Sequence, residues 1–83
     1  MKNYRAFSAR YIPQTDSRGA MFRITDLRND KKVNVPIYST DLNDASDVAN
    51  EYLTAIGIDI IGRSENLRSG YILFTNNFNT ELL

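Results

Sequence analysis

The sequence predicts an α+β fold: a five-stranded, mainly antiparallel sheet in β-β-β-α-β-β order, with one helix packed on one face. Three observations predict it. Segments with alternating apolar residues are separated by polar turns, apolar residues recur every three or four positions in residues 44–56, and a glycine follows that stretch. A chain of 83 residues has room for a single domain, which we assign to residues 1–83.

The first three strands are predicted over residues 4–12, 20–27 and 32–38. In each of them apolar side chains alternate with polar ones, which predicts one face turned to a core and one turned outward. Pro36 predicts that the third strand is an edge or ends early, because proline has no N–H to donate to a neighbouring strand. The side chains predicted to face the core are Phe7, Ala9, Tyr11, Phe22, Ile24, Val33, Val35 and Ile37.

The helix is predicted over residues 44–56, with Asn43 or Asp41 as its N-terminal cap. Its apolar side chains recur at the spacing of one helix face. Gly57 is predicted to end the helix in the left-handed region, with the next residue folding back on Leu53. The predicted buried face comprises Ala45, Val48, Ala49, Tyr52, Leu53 and Ile56.

The last two strands are predicted over residues 58–63 and 71–75, and the polar loop between them predicts a second hairpin. In the fifth strand we expect Ile72 and Phe74 to face the core. Residues 76–83 have no clear pattern, and we expect the end of this segment to fray.

The residue types present exclude much of catalytic chemistry. The chain contains no histidine and no cysteine, which removes the commonest general base and the thiol nucleophile. Asp44, Asp47 and Glu51 share one face of the predicted helix, and we interpret them as its solvated face rather than as a metal site. The glycines are scattered and form no phosphate-binding loop. We therefore expect no enzyme activity, no metal site and no cofactor.

The hydropathy pattern predicts a cytoplasmic protein that does not bind membranes. No apolar segment approaches the ~20 residues that span a bilayer. The first residues have no apolar core of signal-peptide length.

The net charge of zero hides a sharp division along the chain. Residues 1–32 contain eight basic and three acidic residues, a net charge of +5, and residues 33–83 carry −5. In the predicted strands Arg10 and Arg23 lie on the face away from the core, where cations can follow a phosphate backbone. The candidate nucleic-acid-binding residues are Arg10, Arg18, Arg23, Arg28, Lys31 and Lys32.

The same cations allow two other interpretations. Charged side chains on solvated strands prevent edge-to-edge aggregation, and a bipolar surface can hold an acidic protein surface by charge complementarity. The edge predicted over residues 32–38 can pair with another chain, including a second copy. The preferred hypothesis is a small module that binds nucleic acid. The alternative is a protein-binding accessory or inhibitor module, and either would act as a monomer or a weak homodimer.

Three segments carry a resemblance that spans nearly the whole chain: YRAFSARYIPQTDSRGAMFRITDLR, LTAIGIDIIGRSE and GYILFTNNF. They resemble small uncharacterised bacterial proteins carried by mobile elements or phages. The resemblance implies an accessory protein that binds nucleic acid or inhibits a host protein. It assigns no role to any single residue.

Overall fold

Five strands form one antiparallel sheet with an α-helix on one side in the computed structural model, which describes residues 4–66 and 70–82. The elements are β1 (Arg5–Ile12), β2 (Met21–Asp26), β3 (Lys31–Pro36), α1 (Ala45–Ala55), β4 (Gly62–Asn66) and β5 (Gly70–Thr75), with a short 3₁₀ helix at Ile37–Ser39. Across the sheet the order is β3-β2-β1-β5-β4. The predicted α+β class and the order of its elements are confirmed. Among the described residues, no helix is long and apolar enough to cross a membrane.

The core lies between α1 and one face of the sheet, and burial of its apolar surface is the main stabilising contribution. Its members are Phe7, Ala9, Phe22, Ile24, Ala45, Val48, Ala49, Leu53, Ile58, Leu73 and Leu82. Tyr11 and Ile37, also predicted to face the core, are 48% and 40% exposed. Tyr11 packs edge-on against the Phe22 ring at a centroid distance of 5.7 Å, and Ile37 has left the sheet for the 3₁₀ helix.

Helix α1 has a side-chain cap at its N-terminus and a backbone hydrogen bond that closes its C-terminus. Asp44, rather than either predicted residue, is the N-terminal cap, and its carboxylate accepts a hydrogen bond from the Ser46 backbone N–H at 2.8 Å. Gly57 follows the helix with a φ of 97°. The N–H of Ile58 donates to the Leu53 carbonyl at 2.8 Å, and both side chains are fully buried. The predicted end of the helix is therefore confirmed.

The fourth strand lies later in the chain than predicted. Residues 58–63 were expected to form it, but β4 spans Gly62–Asn66. Ile58 is used to close α1 and to fill the core, so it does not begin a strand. Of the predicted loop that follows, residues 67–69 lie outside the described residues, and the part just before them belongs to β4.

The prediction of which β5 residues face the core is wrong. Leu73 is fully buried and pairs with Phe7, which places it under α1. Ile72 and Phe74 therefore lie on the other face, where they are half-buried. The segment is a continuous apolar run, and a run without alternation does not reveal which of its side chains face inward.

One buried ion pair lies at the end of the sheet beside the core. The Arg5 guanidinium contacts the Asp26 carboxylate at 2.6 Å, and neither side chain is exposed to solvent. The guanidinium also lies over the Phe7 ring, 4.8 Å from its centroid. Arg5 counts toward the basic N-terminal segment, but this burial removes it from the surface.

Polar contacts connect residues 76–82 to the rest of the molecule, and the expected fraying of the last residues stays a prediction. Arg5 Nη1 donates to the carbonyls of Asn77, at 3.3 Å, and Thr80. The Asn77 amide donates to the Gly57 carbonyl at 3.0 Å and accepts from the Thr80 N–H at 3.1 Å. These contacts hold the tail on the helix side of the sheet, where Leu82 joins the core.

Candidate functional site

The sheet has a second face, opposite α1, which we call the open face. Antiparallel pairing fixes its membership, because residues two apart along a strand share a face and paired residues stand side by side. Among the described strands its residues with described side chains are Ala6, Ser8, Arg10, Ile12, Met21, Arg23, Thr25, Lys32, Asn34, Pro36, Gly62, Ser64, Gly70, Ile72 and Phe74. None of these is acidic, and three are cations.

Arg10 and Arg23 are directly opposite each other on this face, as register partners in β1 and β2. The Arg10 side chain makes no hydrogen bond or ion pair within residues 4–66 and 70–82. Arg23 Nε donates to Asn34 Oδ1 at 3.1 Å, which orients its guanidinium without neutralising it. Like charges directly opposite destabilise a sheet, and proteins keep such unfavourable pairs mainly at functional sites. An anion bound between the two guanidiniums would remove the repulsion.

Lys32 extends this charge to the edge of the sheet. It pairs with Thr25, which in turn pairs with Ser8 across the open face. Its Nζ lies 3.2 Å from an Asp30 carboxylate oxygen, but that carboxylate is 82% exposed. An ion pair so exposed is worth at most about 1 kcal/mol and is easily exchanged. The lysine therefore stays available to an incoming anion.

The other predicted site residues lie elsewhere. Arg18 is exposed in the loop between β1 and β2, beyond the open face, in a turn closed by its backbone pairing with Thr15. Arg28 and Lys31 both contact Glu81, at 3.4 and 3.5 Å. Because that glutamate belongs to the tail on the helix side, these two cations do not join the open face. The six predicted residues thus divide into three on the open face, one in a loop and two beside the tail.

The opposite end of the open face is aromatic and apolar. A groove there is lined by Tyr4, Ile61, Gly62 and Phe74. Tyr4 and Ile61 are 51% and 53% exposed. Phe74, which is half-buried on this face, was predicted to face the core and so was not among the candidate site residues. The sequence carries no signal for this face, because β5 is a continuous apolar run and the neighbouring β4 is polar throughout.

Two acidic side chains at the start of α1, on the helix side of the sheet, have structural partners. The Asp47 carboxylate contacts Arg63 at 2.8 Å, and Asp44 accepts a hydrogen bond from the Tyr71 hydroxyl at 3.1 Å. Hydrogen bonds from Ser46 hold the pKa of Asp44 below its usual range, although burial acts in the other direction. The bond to Asp44 raises the pKa of Tyr71. Within the described ranges, no three side chains of the ligating types approach closely enough to hold a metal ion.

The chain matches no protein-family model, no curated protein and no solved structure. The resemblance to proteins of mobile elements or phages therefore stays a prediction.

Proposed function

We propose that the protein is a non-enzymatic binding module whose open face contacts the phosphates of a nucleic acid. The observation that carries this proposal is the pair formed by Arg10 and Arg23, which lie side by side without a carboxylate partner among the described residues. Arginine binds phosphate through a planar fork of donors. Lys32 adds a third cation, at the edge of a row whose other members, Thr25 and Ser8, are buried.

The binding strength would come from charge. Each phosphate neutralised by a cation releases counterions, so the affinity falls as salt is added. The chain as a whole is neutral, unlike most nucleic-acid-binding domains. However, the acids of α1 lie across the sheet from the open face. This separation leaves a locally cationic surface on a neutral molecule.

A mobility-shift titration with mixed-sequence DNA and RNA tests the proposal. We expect binding at about 50 mM salt that weakens strongly by about 200 mM. The double variant Arg10→Ala/Arg23→Ala should lower the log–log salt slope by about 1.4 to 1.8, because two phosphate contacts are lost. Absence of binding at the lower salt concentration would refute the proposal.

Lys31 and Lys32 provide a matched control within one strand. They are adjacent and both exposed, but only Lys32 lies on the open face. Lys32→Gln should weaken nucleic-acid binding severalfold, whereas Lys31→Gln should leave it unchanged. Equal effects of the two substitutions would show that the net charge, and not the open face, controls binding.

A second candidate function is supported by the edges of the sheet. Strand β3 lies at one edge, and an apolar groove between it and α1 is lined by Val35, Val48 and Ala55, among others. An extended segment of another protein could add to this edge as a strand. Light scattering tests the simplest case, a second copy of the chain. A mass that rises with concentration supports edge pairing, and a constant monomer mass contradicts self-pairing.

A further inference from the structure

We infer that the nucleic acid is single-stranded, with an unpaired base stacked on Tyr4 and Phe74 while the cations hold its phosphates. This inference rests on the proposed function and specifies its ligand. A single strand would contact both ends of the open face. One end carries the cations, and the other carries aromatic rings.

The groove at the aromatic end has the form that a stacked base requires. Phe74 pairs with Gly62, which has no side chain to cover the neighbouring ring. A Cβ built at Gly62 would lie 3.8 Å from the Phe74 ring, which is ordinary contact distance. The absent side chain therefore leaves the ring reachable from the groove. Tyr4, half exposed on the same groove, supplies a second aromatic surface, and each base stacked on an aromatic side chain contributes about 1–3 kcal/mol.

The two ends are close enough to bind one strand. Phe74 pairs with Ala6 in β1, and Arg10 lies four positions further along that strand. At about 3.3 Å per residue, Ala6 and Arg10 are about 13 Å apart along β1. Between them stand Ser8 and the apolar Ile72, so no acidic side chain of the described strands interrupts the path. A short segment of nucleic acid can therefore cross the open face and contact both ends.

A double helix cannot use both ends at once. Its phosphates can approach Arg10 and Arg23, but its bases are paired and stacked inside the helix. Extruding one base costs a few kcal/mol. A single strand presents its bases without that cost, and aromatic side chains stack on them in a sequence-tolerant way. The cations alone could bind either a double helix or a single strand, whereas the aromatic groove favours the single strand.

Fluorescence anisotropy with labelled oligonucleotides of about eight nucleotides tests the inference. One mixed sequence is prepared as single-stranded RNA, as single-stranded DNA and as a DNA duplex. We expect the tighter-binding single strand to exceed the duplex at least tenfold in affinity, and comparison of the RNA and DNA arms identifies which sugar is preferred. Tyr4→Ala and Phe74→Leu should weaken single-strand binding about 5- to 150-fold and leave duplex binding unchanged.

Tyr38 is the matched control, because it is 88% exposed in the 3₁₀ helix and lies outside the groove. Tyr38→Ala should not change the affinity for any of the three oligonucleotides. Tyr4 is half exposed, so its substitution leaves the core intact, and circular dichroism confirms the fold of each variant. Equal affinity for single strand and duplex, or unchanged single-strand binding by Tyr4→Ala, would overturn the inference. Those results would leave salt-dependent binding through Arg10 and Arg23 in place, whereas a failure of the proposed function abolishes binding in all three arms.

Discussion

At the scale of single residues, the contact between Arg5 and Asp26 differs from the other ion pairs of the described residues, which are exposed to solvent. Both side chains are withdrawn from solvent. Taking two charges out of water is costly, and close geometry with additional hydrogen bonds is needed to offset that cost. Here the second carboxylate oxygen of Asp26 accepts from the Arg28 N–H at 3.0 Å, and Arg5 also donates to two carbonyls of the tail. Loss of either partner would leave a charge in the interior.

We therefore expect Arg5→Ala to lower the free energy of unfolding by about 3–5 kcal/mol, measured by urea denaturation. Arg63→Ala is the control, because it removes an arginine whose ion pair with Asp47 is exposed. Its loss should stay below about 1 kcal/mol. Similar losses in the two variants would contradict the structural role assigned to Arg5.

At the scale of secondary-structure elements, α1 depends on its N-terminal cap. Asp44 accepts hydrogen bonds from the backbone N–H groups of Ser46 and Asp47, at 2.8 and 3.4 Å. Asp44→Ala should lower the free energy of unfolding by about 0.5–2 kcal/mol near neutral pH. Thermal or urea denaturation followed by circular dichroism measures this loss.

The same cap predicts a pH dependence. The pKa of Asp44 is lowered in the folded protein, chiefly by the Ser46 hydroxyl and despite burial. A lowered folded-state pKa stabilises the protein above the ordinary value of 3.8, and this stabilisation is lost as the pH falls through the folded-state pKa. Asp44→Asn keeps a capping side chain but cannot titrate. In urea denaturation across this pH range, the variant should lose less stability than the wild type, and equal losses would contradict the prediction.

Elements with a clear period were predicted well, and those without one were not. The helix was placed within one residue at each end, since its apolar spacing and Gly57 define it. Strand β5 has no alternation, so its inward face could not be read from its residues. In β4 the residues are mostly polar, as suits an edge strand, and the more apolar segment before it was taken for the strand.

The candidate site was only partly predictable for a different reason. The alternation in β1 and β2 correctly placed Arg10 and Arg23 opposite the core. Nothing local to Arg28 or Lys31 indicates that Glu81 would come to lie beside them. That contact joins residues about fifty positions apart, and the tail that brings it is held by side-chain contacts rather than by regular structure.

In the whole molecule, positive and negative charges lie on opposite sides of the sheet. The open face carries cations, and α1 carries Asp47 and Glu51 with no basic residue. The separation of basic and acidic residues along the sequence therefore corresponds to a separation between the two sides of the sheet. Three cations of the basic segment are exceptions, because Arg5 is buried and Arg28 and Lys31 contact Glu81. The location of a charge should therefore matter more than the total.

Asn34 allows a test of location alone. Asn34→Asp places a carboxylate where the amide oxygen now accepts from Arg23, so the new ion pair should neutralise that arginine. We expect weaker nucleic-acid binding, with a log–log salt slope smaller by about 0.7 to 0.9, and no loss of stability. The control is Asn50→Asp in α1, which changes the net charge equally on the other side of the sheet. It should bind as the wild type does, and an equal loss in both variants would contradict the model of a localised surface.

The contacts of Arg5 with the tail also have a consequence for the order of folding. They join positions 72 and 75 residues apart, so they form only when nearly the whole chain is in place. Interactions completed after the rate-limiting barrier slow unfolding without accelerating folding. We therefore expect substitutions that remove the tail contacts, such as Asn77→Ala, to raise the unfolding rate while leaving the folding rate nearly unchanged.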